Sequence, residues 1–126
     1  MNAMDLQNSI KTCCVKKYAN FNGRASRSEF WWFQLFYLIV IFVAVIFDSM
    51  YVDNSQAMGP VELISTLILL LPAISVTARR LHDVGRSGWW MLVAITVIGL
   101  IPLFIWYVSV GTKSKNKYGP PIKLKR

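Results

Sequence analysis

Ala78-Arg79-Arg80-Leu81-His82-Asp83-Val84-Gly85-Arg86-Ser87-Gly88-Trp89-Trp90 is a polar interval between two long apolar runs. It holds three arginines, the single histidine of the chain, an aspartate, two glycines and a tryptophan pair. On either side of it charge disappears. No charged residue lies between Leu63 and Ala78, or between Trp89 and Thr112. A further uncharged run extends upstream from Phe30 to Phe47. A helix needs about 20 apolar residues to cross the hydrocarbon core of a bilayer, and each run reaches or approaches that length. The expected fold class is all-α, an integral membrane bundle of three transmembrane helices over 30–47, 61–77 and 89–110. The third is expected to kink at Gly99-Pro102.

Composition supports that reading. The chain has 126 residues, room for one domain, and 55% of them are apolar. A soluble domain would interleave those residues with charge; here they are bunched. The net charge is +8. In a soluble protein such an excess suggests nucleic acid, but here the basic residues flank apolar runs, where they set topology and meet anionic headgroups. The expected partners are therefore the lipid bilayer and its anionic phospholipids, with a membrane protein or a second copy as a further possibility, and no nucleic acid. Cys13 and Cys14 are the only cysteines. They read as two small apolar residues, with acylation as the functional alternative. No cofactor or metal is implied. The first 29 residues lack an apolar core long enough for a cleavable signal, so the first span is expected to act as its own insertion signal.

Taken in order, Met4 to Tyr18 carries Leu6, Ile10, Cys13, Cys14 and Tyr18 at three- and four-residue spacing among Lys11, Lys16 and Lys17. That pattern suits a short interfacial helix with its apolar stripe in the headgroup boundary. Asn20-Phe21-Asn22-Gly23 reads as a turn. Ser26 and Glu29 fit a capping box at the start of the first span. Arg24 and Arg27 stand just outside that span, so 1–29 is expected on the cytoplasmic side. The connection from Asp48 to Pro60 has acids but no lysine or arginine, as befits the far side. Pro72 interrupts the second span, and Ser65, Thr66, Ser75 and Thr77 are candidates to bond the carbonyl it frees.

The tail, 111–126, carries six basic residues and no acid. Three full crossings place it outside, against the positive-inside tendency. Doubling back at Gly99 to Pro102 would put all 14 basic residues on one side, but each half would then be about 10 residues, too short to span. Three crossings are the expectation.

Three stretches resemble a known family. They are Phe21-Asn22-Gly23-Arg24-Ala25-Ser26-Arg27-Ser28-Glu29-Phe30-Trp31, the interval from Arg79 to Trp90, and the ending from Gly111 to Pro121. All are similar to domain-of-unknown-function family 805, small bacterial inner-membrane proteins. The resemblance implies a compact bundle of about three helices in the cytoplasmic membrane and brings no activity with it. Val110-Gly111-Thr112 departs from the Pro-Gly-Thr that the family pattern leads one to expect, and the tail is richer in lysine.

Chemistry, if there is any, should gather around the arginines. Arg24, Arg27, Arg79, Arg80, His82, Asp83 and Arg86 are the candidate ligand- or lipid-binding residues, since guanidinium groups grip phosphate through paired N–H donors. The expected function is a binding or scaffold protein whose cytoplasmic loop engages anionic headgroups or a membrane partner. Two alternatives stand beside it. One is an enzyme acting on a phosphorylated lipid through His82 and Asp83, although neighbours on a helix point about 100° apart. The other is a subunit of an oligomeric channel or transporter, although no run holds a charged residue inside the membrane.

Overall fold

The computed structural model describes residues 5–52 and 58–121. Met4, Asp53 and the tail residues Lys123, Lys125 and Arg126 lie outside the described residues. The described chain is helical, and its one β-bridge, Asn116 with Gly119, is isolated.

Two long helices form the frame, α2 (Arg27–Tyr51) and α3 (Pro60–Asp83). At about 1.5 Å per residue each is more than 30 Å long, and both are apolar enough to cross a membrane. Ser26 caps α2 by accepting the Glu29 N–H at 3.2 Å. The other half of the expected capping box is absent, because the Glu29 carboxylate pairs with Arg79 instead. At the far end the α2 residue Asp48 caps α3. Its carboxylate accepts the N–H groups of Val61 at 3.2 Å and Glu62 at 2.8 Å. Gly59 makes room for this contact, since a Cβ there would lie 2.2 Å from the Asp48 carboxylate. The start of α3 is thus fixed by α2 itself. Outward side chains such as Leu38, Phe42, Ile64 and Leu67 are exposed, as a lipid-facing surface requires.

The N-terminal segment folds as α1 (Leu6–Lys11), continued by a π-helical segment, Thr12–Lys16. Asp5 caps it through the Asn8 N–H at 2.8 Å. Its inner face is not the lipid-facing stripe expected. Cys13 packs with Ala25, Phe30, Phe33 and Val76 in the core, and Ser9 donates to the Glu29 carbonyl at 2.6 Å. The segment is a buttress across the base of α2 and α3. It also answers Pro72. With no N–H at that position the Ile68 carbonyl has no helical donor, and the Tyr18 hydroxyl donates to it at 2.5 Å. Of the serines and threonines expected there, two bond other carbonyls: Ser75 those of Lys17 and Asn20, and Thr77 that of Ala73.

The polar interval is mostly helix rather than loop. The second span, expected to end at 77, continues to Asp83, and the chain then turns through Gly85 at φ 80°. The run after it differs from the single kinked helix expected over 89–110. It forms a 3-10 segment, Gly88–Ile95, a turn, and then α4, Leu100–Val108. The two pieces lie side by side. Trp90 meets Trp106 edge to face at 5.6 Å, and the Arg86 guanidinium lies 4.8 Å over the Trp106 ring. The physical reason is the set of acceptors at the end of α4. The carbonyls there have no helical partner, and arginines from α2 and α3 supply donors for them.

Candidate functional site: a buried arginine–carboxylate cluster

The base of α2 and α3 gathers three arginines and two acids out of solvent. Arg24, Arg79, Arg80, Glu29 and Asp83 are all buried, and Arg79 and Arg80 are 0% exposed. A charge removed from water must be paired and hydrogen-bonded to persist.

Asp83 lies between two guanidinium groups, 2.8 Å from Arg24 and 2.5 Å from Arg80. An arginine has five N–H donors, and both residues use all of theirs on protein acceptors. Arg24 donates Nε to Asp83 Oδ1 at 2.8 Å, Nη1 to the carbonyls of Ser114 and Gly119, and Nη2 to those of Asp83 and Thr112. Arg80 donates Nη1 to Asp83 Oδ2 and the Ala25 carbonyl, Nε to Tyr107, and Nη2 to Trp106 and Ser109. Arg27 reaches the Val108 carbonyl at 3.3 Å. Cations at the C-terminal end of α4 also complement its dipole.

Arg79 forms a separate unit. Its Nη1 is 2.5 Å from Glu29 Oε1, and its Nη2 donates to Cys13 Sγ at 3.9 Å. Its Nε is buried without a hydrogen-bond partner among the described residues. Burial, reinforced by the Glu29 carboxylate and only partly opposed by Arg79, pushes the Cys13 thiol up to about 12. Cys13 is thus a neutral core side chain.

The tail is tied to the same cluster. The Thr112 N–H donates to the Asp83 carbonyl at 2.7 Å, and the Asn116 amide donates to the His82 carbonyl at 3.0 Å. The His82 ring stacks on Tyr118 at 3.9 Å, with Nδ1 2.9 Å from the Gly23 carbonyl. Gly111 passes so close to Asp83 that a Cβ would lie 2.0 Å from Oδ2.

The seven candidate residues therefore divide. Arg24, Arg80 and Asp83 come together in one network, and Arg79 adjoins it through Glu29. His82 and Asp83 do not form a dyad: the ring contacts Gly23 and Tyr118, and the carboxylate contacts two arginines. Arg27 is half-buried and Arg86 exposed. Lys113, Lys115 and Lys117 are exposed beside them, on the tail that Arg24 holds. A cleft of about 320 Å³ opens here between Arg24, Ser26, Arg27, Asp83, Thr112 and Lys113. Sequence reading missed the backbone acceptors, Thr112, Ser114 and the end of α4, because a carbonyl leaves no mark in the residue pattern. Gly111 was the available signal.

The chain has relatives among known proteins. A family model described as "Protein of unknown function (DUF805)" matches residues 18–120. The chain is similar to "Inner membrane protein YhaH" of Escherichia coli (strain K12), 37% identical over 112 residues, covering 87% of this chain and 93% of the relative. It is also similar to "Inner membrane protein YhaI" of the same strain, 33% identical over 106 residues, with 83% and 87% covered. "Uncharacterized protein YiiR" is 30% identical, with 79% and 84% covered. No solved structure matches.

Proposed function

This chain belongs to the DUF805 family, relatives of which are named inner membrane proteins, and from that premise we propose a membrane-embedded binding protein that presents a basic rim to anionic lipid headgroups. The rim is Arg27, Arg86, Lys113, Lys115 and Lys117. The buried arginines hold it in place. In this reading the N-terminus, the 84–87 turn and the tail all face the cytoplasm, the side where positive charge accumulates.

The observation that carries the proposal is the use of donors. Arg24 and Arg80 have no N–H left for a phosphate. The exposed cations beside them do, and cations near an anionic leaflet gain about 1 kcal/mol each. The phosphate-gripping role expected of Arg24 and Arg80 thus passes to their exposed neighbours.

Native mass spectrometry of protein released from phosphatidylglycerol-containing nanodiscs tests this. Wild type should retain anionic lipid in a salt-sensitive manner. The quadruple variant Arg86→Gln/Lys113→Gln/Lys115→Gln/Lys117→Gln should retain at least tenfold less, with its helical content unchanged. Equal retention would remove the rim from the account.

A further inference from the structure

We propose that the apolar run after the polar interval is a hairpin seated in one leaflet only, its outer face covered by the acyl chains of that leaflet. The inference concerns how the protein displaces lipid and does not depend on headgroup binding.

The base of the hairpin is fixed on both sides. The 3-10 segment begins just after Ser87, where a Cβ on Gly88 would meet the α3 residue Ala78 at 2.9 Å. The end of α4 is held by Arg80 through Trp106, Tyr107 and Ser109. The indole N–H of Trp31, in the first turns of α2, donates to the Tyr107 carbonyl at 3.2 Å. Both legs therefore start at the end of the bundle that carries the basic rim.

The legs have one-leaflet length. Eight residues of 3-10 helix at about 2.0 Å each extend about 16 Å. Nine residues of α4 at about 1.5 Å each extend about 14 Å. Half of a hydrocarbon core is about 15 Å.

The surface and the tip suit acyl chains. Ile95, Val97 and Ile98 are at least 80% exposed and cluster at the tip, while Trp89, Trp90, Trp106 and Tyr107 lie at the base. Tryptophan and tyrosine favour the interface and aliphatic side chains the core. Backbone in lipid must satisfy itself, and among the described residues most of this turn does, the N–H groups of Val97 and Ile98 at its tip excepted. The Thr96 hydroxyl donates to the Val93 carbonyl and accepts the Gly99 N–H. The N–H groups of Thr96, Leu100, Ile101 and Leu103 reach carbonyls at positions 93, 97, 98 and 99. No charged residue lies in either leg.

The test uses nitroxides on cysteine variants in a Cys13→Ser/Cys14→Ser background, in lipid nanodiscs. A label pair at Trp90→Cys and Trp106→Cys should report a short intramolecular distance, where one spanning helix separates those positions by about 24 Å. A second pair at Trp89→Cys and Val108→Cys repeats the measurement without the indole pair, should that variant fail to fold. A single label at Ile98→Cys should be relaxed by dissolved oxygen and shielded from a water-soluble nickel complex. A long distance for the folded variants would overturn the hairpin. Nickel access at Ile98, or oxygen shielding with spin coupling between copies, would overturn its seating in acyl chains, the latter in favour of a second copy.

Discussion

Arg79 and Glu29 form the simplest ion pair in the cluster, one guanidinium against one carboxylate with both side chains out of water. Removing one partner leaves a buried charge alone. Arg79→Met should therefore destabilise the protein by about 3–5 kcal/mol, and Glu29→Leu/Arg79→Met should recover most of that loss, since a buried pair is replaceable by packed apolar groups. Denaturant unfolding in detergent measures both, and a double variant no better than the single would show that the pair is not a unit. Cys13 tests the same pocket from another side. With its thiol pushed up to about 12, in a Cys14→Ser background it should resist maleimide at pH 8 while folded and react within minutes in denaturant, as a thiol near its ordinary value does. Rapid labelling of the folded protein would mean that the pocket is open. The gathering of arginines around Asp83 was legible in the sequence, whereas Glu29 was marked there for the capping box of the first span. The completeness of the network was not legible, because most of its acceptors are backbone carbonyls brought in by folding.

At the scale of elements, α2 and α3 were readable from uncharged length, and their true ends were not. The second span appeared to stop at 77 because Arg79 and Arg80 look like residues that belong in water. They continue the helix because Glu29, Asp83 and the end of α4 meet their charge. The third run misled for the opposite reason. Its uncharged length allowed a crossing, and nothing in its composition records that Arg80 and Arg27 draw its far end back. Pro72 provides a contained test of how α1 and the π segment brace α3. Tyr18→Phe should cost about 1–2 kcal/mol by leaving the Ile68 carbonyl unsatisfied. In a Pro72→Ala background, where residue 72 regains its own N–H, that cost should fall toward zero. A double-mutant cycle in thermal stability reads the difference, and equal costs in the two backgrounds would break the link between Tyr18 and the proline.

For the whole molecule, a one-leaflet hairpin gives a wedge, with the 3-10 segment and α4 joining α2 and α3 at the basic end and only α2 and α3 at the other. Such a shape should prefer bilayers whose rim-side leaflet is expanded. Reconstituted with the rim outward, the protein should enrich in small vesicles over large ones, and Ile95→Ser/Val97→Ser/Ile98→Ser at the hairpin tip should weaken the preference; vesicle sizing with quantified protein content checks both. The account as a whole turns on one arrangement, in which Arg24 and Asp83 hold residues 112–119 at the end where α1 lies. The most direct test is membrane-impermeant maleimide labelling of Lys115→Cys in intact spheroplasts, in a Cys13→Ser/Cys14→Ser background, with Met58→Cys as the far-side control. The account predicts labelling at 58 in intact spheroplasts, and labelling at 115 only after the membrane is permeabilised. Labelling of both positions from outside would place the tail across the membrane from Arg27 and Arg86 and contradict it.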